Sequence, residues 1–336
     1  MSELLFYEGE KHHHGDYPLL KGADIDRYSL SFNENWLIHD FEKHRTEESV
    51  VQVYLDLALV PVKILTRQTS DRIQAAADYE QYVTAKSIHT TIVEAEDYNP
   101  LYVVSVLNSK LLSYTYQIRT GEVGRLFAQV KLYDLRKLPI RRIHFTTPPG
   151  ERTRLVGVGI TEATEWIETA EKDSVTFSAF SGSKLARWLA ARLSAEPEQA
   201  DAVHDLLAHL AQWMIDMNKA KGAEVRGFLA WLADYTGLPV DDWALKTHLR
   251  RYYEHDWPAM QRVLKRNQRK LPRVELDVDA YKNEPAARIC AAWETSMDTL
   301  RPLLADIAAT DRLIDQIVYQ LYGLTEEEIA IVEGRA

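Results

Sequence analysis

Val62-Lys63-Ile64-Leu65-Thr66-Arg67 alternates apolar and polar residues, the period of two that suits a strand buried on one face. Residues 82–88 and 90–93 read the same way, so short β-type runs begin at Pro61. Ahead of them, the first 60 residues are acidic and turn-rich, punctuated by Gly15-Asp16-Tyr17-Pro18 and Lys21-Gly22-Ala23-Asp24. Behind them, Tyr98-Asn99-Pro100 opens a helical run with Leu101, Val104, Leu107, Leu111 and Leu112 at helix spacing. Leu138-Pro139-Ile140 then leads into Thr146-Thr147-Pro148-Pro149-Gly150, the clearest linker in the chain.

Beyond that linker the periodicity is helical. Val203, Leu206, Leu207, Leu210, Met214 and Met217 form one apolar face, and Phe228, Leu229 and Leu232 a second that stops at Gly237-Leu238-Pro239. A basic helix is predicted over 242–270. The last long helix carries Leu303, Ile307, Leu313, Ile314, Ile317, Val318 and Leu321 and should end at Gly323, which has no Cβ to oppose the left-handed position after a helix. Thr325 and Glu328 then have the spacing of a capping box. The expected class is α+β. A mixed α/β domain of short twisted strands covers 1–143, a linker covers 144–152, and a mostly α-helical domain covers 153–336.

The chain has 336 residues, 46% hydrophobic and 27% charged, ordinary for a globular protein with room for two domains. No stretch approaches the ~20 apolar residues of a membrane span, and the first residues do not read as a secretory leader. One cysteine, Cys290, excludes an internal disulfide and fits a reducing compartment, so a cytoplasmic protein is expected. The net charge of -10 argues at first against nucleic acid, but it is unevenly spread. Residues 61–142 carry twelve Lys/Arg against eight Asp/Glu, and 246–273 carry nine against two. Partner choice follows such local fields rather than the total.

No catalytic constellation is legible. A phosphate-binding loop is absent, Gly157-Val158-Gly159 lacks the third glycine of a dinucleotide motif, and Cys290 lies in an Ala-rich helical context that reads as an inert thiol. Adjacent side chains of an extended segment point to opposite faces, so His12-His13-His14 is not expected to converge on a metal. Asp311 and Asp315 share a helix face without a third ligand. No metal and no cofactor are expected in this chain.

Several segments together resemble a known family. They are the run Tyr17-Pro18-Leu19-Leu20-Lys21-Gly22-Ala23-Asp24-Ile25-Asp26-Arg27-Tyr28, then Trp36-Leu37-Ile38, Lys63 to Thr69, Ile73-Gln74-Ala75-Ala76, Leu107 to Tyr114, Gln129-Val130-Lys131 and Leu135 to Ile140. Their order resembles the TaqI-like C-terminal specificity domain of restriction-modification adenine methyltransferases. The tail from Thr310 to Ile329 is similar to the C-terminal end of fused restriction-modification enzymes. The resemblance implies a target-recognition module that reads a short double-stranded DNA site for an adenine methyltransferase using S-adenosylmethionine. The Asn/Asp-Pro-Pro-Tyr/Phe signature of the catalytic part is missing, since the one Pro-Pro pair is Pro148-Pro149. S-adenosylmethionine is therefore expected on a partner methyltransferase, and the chain is expected to be catalytically silent alone and to work with a methyltransferase or nuclease subunit, in restriction-modification or phage defence.

Under that reading, base-edge and phosphate contacts fall to Lys63, Arg67, Gln68, Thr69, Lys86, His89, Arg119, Arg125 and Lys131. Arginine pairs with guanine and glutamine with adenine in two-pronged fashion, which makes Arg67-Gln68 a candidate reader. An internal ion pair of Arg67 with Asp71 or Asp78 is the structural alternative. Arg262, Lys265, Arg266, Arg269 and Lys270 form a helical stripe suited to phosphates, or equally to an ordinary solvated face. Two rival functions remain at this stage: a diverged methyltransferase or endonuclease active on its own, and an assembly subunit that meets an acidic protein instead of DNA.

Overall fold

The computed structural model describes residues 5–44, 54–121, 128–169, 180–277 and 283–335. The fold is α+β, strands first and helices after. It divides into two compact units, Met1–Ile215 with Thr310–Ala336, and Asp216–Ala309. The division therefore falls inside long helices and not at the stretch 144–152. No helix among the described residues is long and apolar enough to cross a membrane.

The first unit begins with β1 (Phe6–Glu8), β2 (Tyr17–Leu20), the hairpin β3 (Ile25–Asp26) and β4 (Ser29–Leu30), and β5 (Asn35–Leu37). After a short helix α1 (Leu55–Ala58) come β6 (Lys63–Arg67), β7 (Ala75–Asp78), β8 (Val83–Thr84) and β9 (Ile88–Thr91). One sheet runs β1-β5-β2-β8, with β8 parallel to β2; a second, antiparallel throughout, runs β7-β6-β9. The run predicted as one strand over 82–88 is therefore two strands in two sheets, joined by a turn at 85–87.

β6 is where expected, but it is not buried on one face alone. It is the middle strand, and both helix α2 (Pro100–Asn108) and the β3–β4 hairpin pack on its sheet. Lys63, Ile64, Leu65 and Thr66 are all buried as a result. Alternation reveals which side of a strand is apolar but not whether a second layer covers the polar side.

The helical run from Tyr98 starts as expected. The Asn99 side chain accepts the Leu101 amide at 2.9 Å, and Pro100 occupies the first turn, where its lack of an N–H costs nothing. Ser109 then breaks the run. It is extended, and its side chain caps α3 (Lys110–Thr120) by accepting the Leu112 amide. At this junction the Asn108 amide group takes both the N–H and the C=O of Ala75, at 2.9 and 2.8 Å, which locks α2 to β7.

α4 (Leu132–Leu135), α5 (Pro149–Thr169) and α6 (Lys184–Leu193) follow, and the unit takes in parts of two long helices, α7 (Ala200–Thr236) and α10 (Glu284–Tyr322). The expected linker is not free: Thr147 is buried and bonds Asp201 through both its amide and its hydroxyl, at 2.8 and 2.7 Å, and α5 already begins at Pro149. The Ser105 hydroxyl donates to the Leu207 carbonyl, and Arg141 pairs with Glu198 and with the Leu321 carbonyl. α10 stops where expected, before Gly323 at φ +70°, and the capping box of Thr325 and Glu328 opens α11 (Glu326–Val332).

The second unit packs Phe228, Leu232, Trp243, Tyr252, Leu264 and Trp293 into one core. Its basic segment is not the single helix predicted over 242–270. Leu245 sits at φ +61°, α8 spans only Lys246–Arg250, and Asp256 starts a new helix, α9 (Trp257–Asn267), by accepting the Ala259 amide at 2.9 Å. Pro258 in the first turn of α9 cannot continue a helix from upstream.

Asp315, on the part of α10 within the first unit, is buried beside Asp311. Its Oδ1 accepts the Lys110 amide at 2.8 Å, and the Lys110 ammonium stands 3.8 Å from Oδ2. Burial first, and then the Asp311 charge, push its pKa up to about 7, while Lys110 and Arg27 pull it down. The folded chain thus holds this proton more tightly than the unfolded chain, so its contribution to stability is complete below about pH 4 and lost as pH rises through 7. Asp315→Asn keeps the Oδ1 acceptor without the charge. Thermal melts should show it stabilised at pH 8, on the order of 2 kcal/mol, with no gain at pH 4.

Candidate nucleic-acid interface

β6 ends at Arg67, and the backbone turns there through Gln68 and Thr69. The register sets Thr66 opposite His89 and Arg67 opposite Ile88. Beyond the last pair, the Gln68 amide donates to the Ser87 carbonyl at 2.9 Å, and the Val130 amide donates to the Gln68 carbonyl at 2.7 Å. Three segments far apart in sequence, 66–69, 86–89 and 129–131, are in this way fixed side by side at one end of the β7-β6-β9 sheet. Arg67, Gln68, Thr69, Lys86, His89 and Lys131 are all carried by them.

Each side chain has its own status there. Arg67 is half-buried and its Nε donates to the Thr69 carbonyl at 2.8 Å; neither Asp71 nor Asp78 pairs with it. Lys86 and Thr69 are exposed. His89 is tied down, because its Nε2 donates to the Val130 carbonyl at 2.7 Å, which leaves only Nδ1 for an outside partner. The supporting turn is close-packed: a Cβ on Gly22 would stand 3.0 Å from the Ser87 carbonyl oxygen, so a larger residue there would push the turn away from the end of β2.

α3 leads to the same place. The Tyr116 hydroxyl donates to the Gln129 carbonyl at 2.7 Å and accepts the Lys131 amide at 3.0 Å. One turn further, the exposed Arg119 donates to the Lys137 carbonyl at 3.0 Å, and Lys137 lies over the Tyr133 ring at 3.4 Å. Gly121, at φ +62°, ends α3. Arg125 lies outside the described residues.

A groove of about 780 Å³ adjoins this end, with Lys86, His89 and Arg136 among its polar lining and Leu107, Leu132 and Leu138 among its apolar lining. Arg72 and Arg136, both exposed, stand close in sequence to the assembled turn and helix and were not singled out from the sequence. The local excess of basic residues counted them; no motif distinguished them from their neighbours.

Lys63 does not belong to the surface. Its ammonium is fully buried, paired with Asp78 Oδ2 at 2.5 Å and donating to the Ala58 carbonyl at 2.6 Å. Asp78 also accepts the Glu80 and Tyr82 amides. Placement in the middle strand makes Lys63 a structural counter-ion and removes it from the candidate contacts.

In the second unit, Arg262, Lys265 and Arg266 ride on α9, while Arg269 and Lys270 belong to the tighter 3-10 turn Gln268–Lys270. All five are exposed. Arg262, Arg266 and Arg269 have no carboxylate partner among the described residues, whereas Arg250, Arg251 and Arg273 nearby in sequence are paired with Asp241, Glu254 and Asp234. Lys270 donates to the Asp242 carbonyl at 3.2 Å.

Residues 17–140 match the family model of the TaqI-like C-terminal specificity domain, in agreement with the resemblance read from the sequence. The chain is also similar to a Methanocaldococcus jannaschii protein named as a type II restriction enzyme and methyltransferase, 30% identical over 129 residues. That match takes in 37% of this chain and 10% of the relative's length.

Lys63→Ala should strip the buried Asp78 of its cation and cost about 3–5 kcal/mol in urea unfolding. Lys86→Ala, at the exposed turn, should stay within about 0.5 kcal/mol of the parent. An unchanged midpoint for Lys63→Ala would return Lys63 to the list of surface contacts.

Proposed function

We propose that this chain is the DNA-reading component of a restriction-modification system, in which residues 17–140 recognise a short double-stranded site and hold it for a partner adenine methyltransferase or nuclease. The observation that carries the reading is the convergence, within the stretch matched to a specificity domain, of Arg67, Gln68, Thr69, Lys86 and Lys131 on one backbone-bonded end. Among the described residues no carboxylate pairs with Arg67 to compete with guanine O6 and N7, and Gln68 follows it with an amide suited to adenine N6 and N7. Lys86, Lys131 and Arg119 supply charge for phosphates, which sets position and affinity but not sequence. The exposed arginines Arg262, Arg266 and Arg269, on α9 and the turn after it, would add a grip indifferent to sequence. S-adenosylmethionine belongs on the methyltransferase partner, and defence against phage is the setting such a system serves.

The full chain should select a preferred duplex from a randomised pool. Arg67→Ala should then weaken that duplex by roughly 1–3 kcal/mol and relax the preference at one base position. Lys86→Ala should weaken all duplexes alike and lower the slope of log K against log salt by about 0.9. The combined alanine variant of Arg262, Arg266 and Arg269 should lower that slope by up to about three times as much. Equal, salt-independent retention of every duplex would overturn the reading.

A further inference from the structure

His12-His13-His14 reads as three imidazoles that cannot face one ion together, but one of them finds partners elsewhere. The His13 and His39 rings are stacked, with centroids 3.8 Å apart and 23° between planes. Asp16, almost completely buried, lies beneath them. Its Oδ1 accepts both the His39 amide and His39 Nδ1 at 2.9 Å; its Oδ2 accepts the Tyr7 hydroxyl at 2.5 Å and the His13 amide at 2.9 Å. Burial opposes the charge, yet those hydrogen bonds hold the carboxyl well below the usual carboxylate range, so Asp16 remains an anion.

Gly15 packs against both residues: a Cβ there would stand 3.2 Å from His13 Nδ1 and from His39 Cβ, a contact relieved only if those side chains shift by a few tenths of an ångström. The Gly15 amide donates to His13 Nδ1 at 3.1 Å, a bond this exposed ring would give up on turning that lone pair to a cation. One ligand atom from each of His13, Asp16 and His39 lies within 4.8 Å of the others.

We propose that His13, His39 and Asp16 form a binding site for a late first-row divalent cation, zinc, nickel or copper. Two imidazoles with a carboxylate and no thiolate suit these ions over the alkaline-earth ions, which take oxygen. Metal–nitrogen bonds of about 2.0–2.1 Å set ligand atoms roughly 3.3 Å apart, and rotation of the two exposed imidazoles closes the remaining distance. Asp16 already accepts four hydrogen bonds, so it would enter the coordination shell by exchanging one of them, the Tyr7 hydroxyl on Oδ2, for the cation. The cation would fasten the connection between β1 and β2 to the segment after β5, at the opposite end of β2 from Gly22 and Ser87.

The test is zinc titration of the full chain, free of any affinity tag, by calorimetry, with the visible absorption of added cobalt as a second readout. One equivalent should bind, and zinc should raise the melting temperature. His39→Gln and Asp16→Asn should each weaken binding by about 10–100-fold. Gly15→Ala should weaken it while leaving every ligand in place, and His14→Ala should change it less than about twofold against that scale. Should Asp16→Asn fail to fold, the exposed His39 decides the matter. Binding that survives His39→Gln, or that falls equally with His14→Ala, would show mere chelation by adjacent histidines and overturn the site, as would no binding.

Discussion

Arg27 is the contact on which the first unit depends. Its guanidinium grips Asp311 with two bonds, at 2.7 and 2.5 Å, and also donates to the Asn108 carbonyl at 2.7 Å. Asn108 in turn holds both backbone groups of Ala75. One side chain thus joins the α10 segment, the α2–α3 junction and strand β7. β7 sets the register of β6, and β6 delivers Arg67 to the assembled turn. A two-pronged, part-buried pair of this kind contributes less through net energy than through the single arrangement it permits, because any slip leaves a charge without its partner.

Signals confined to a few neighbouring residues were legible in the sequence. Asn99-Pro100 started a helix, Gly323 stopped one, and Thr325 with Glu328 capped the next, each through bonds within one turn of the chain. Signals that needed a second layer were not. β6 was found, but its polar positions were assigned to solvent, and Lys63 with them, because nothing local announces that α2 and the β3–β4 hairpin cover the sheet. The basic segment failed differently. Charge spacing suggested one helix, while Asp256-Trp257-Pro258 was a readable start signal that the count of arginines obscured.

The candidate site divides along the same line. Arg67, Gln68, Lys86 and Lys131 each carry chemistry suited to DNA, and the fold brings them together through backbone bonds that no spacing rule contains. His89 offers an imidazole, but a carbonyl 41 residues away claims one of its nitrogens. The partnership of His13 with His39 was equally invisible, since it arises from the pairing of β1 and β2 with β5.

The discontinuity of the first unit bears on how the chain reaches its folded state. Arg27 and Asp311 are 284 positions apart, and the second unit occupies about a third of the chain between them. Bringing such distant partners together early would sacrifice a large amount of chain entropy, a cost that grows with the logarithm of the free length. Should residues 216–309 collapse first around Trp243, Tyr252 and Trp293, the free length shrinks, and the closing contact forms from a shorter tether. Topology of this kind slows folding in proportion to how non-local its contacts are. The order of events would then run from the inserted segment outward, with the Arg27 clasp among the last bonds made.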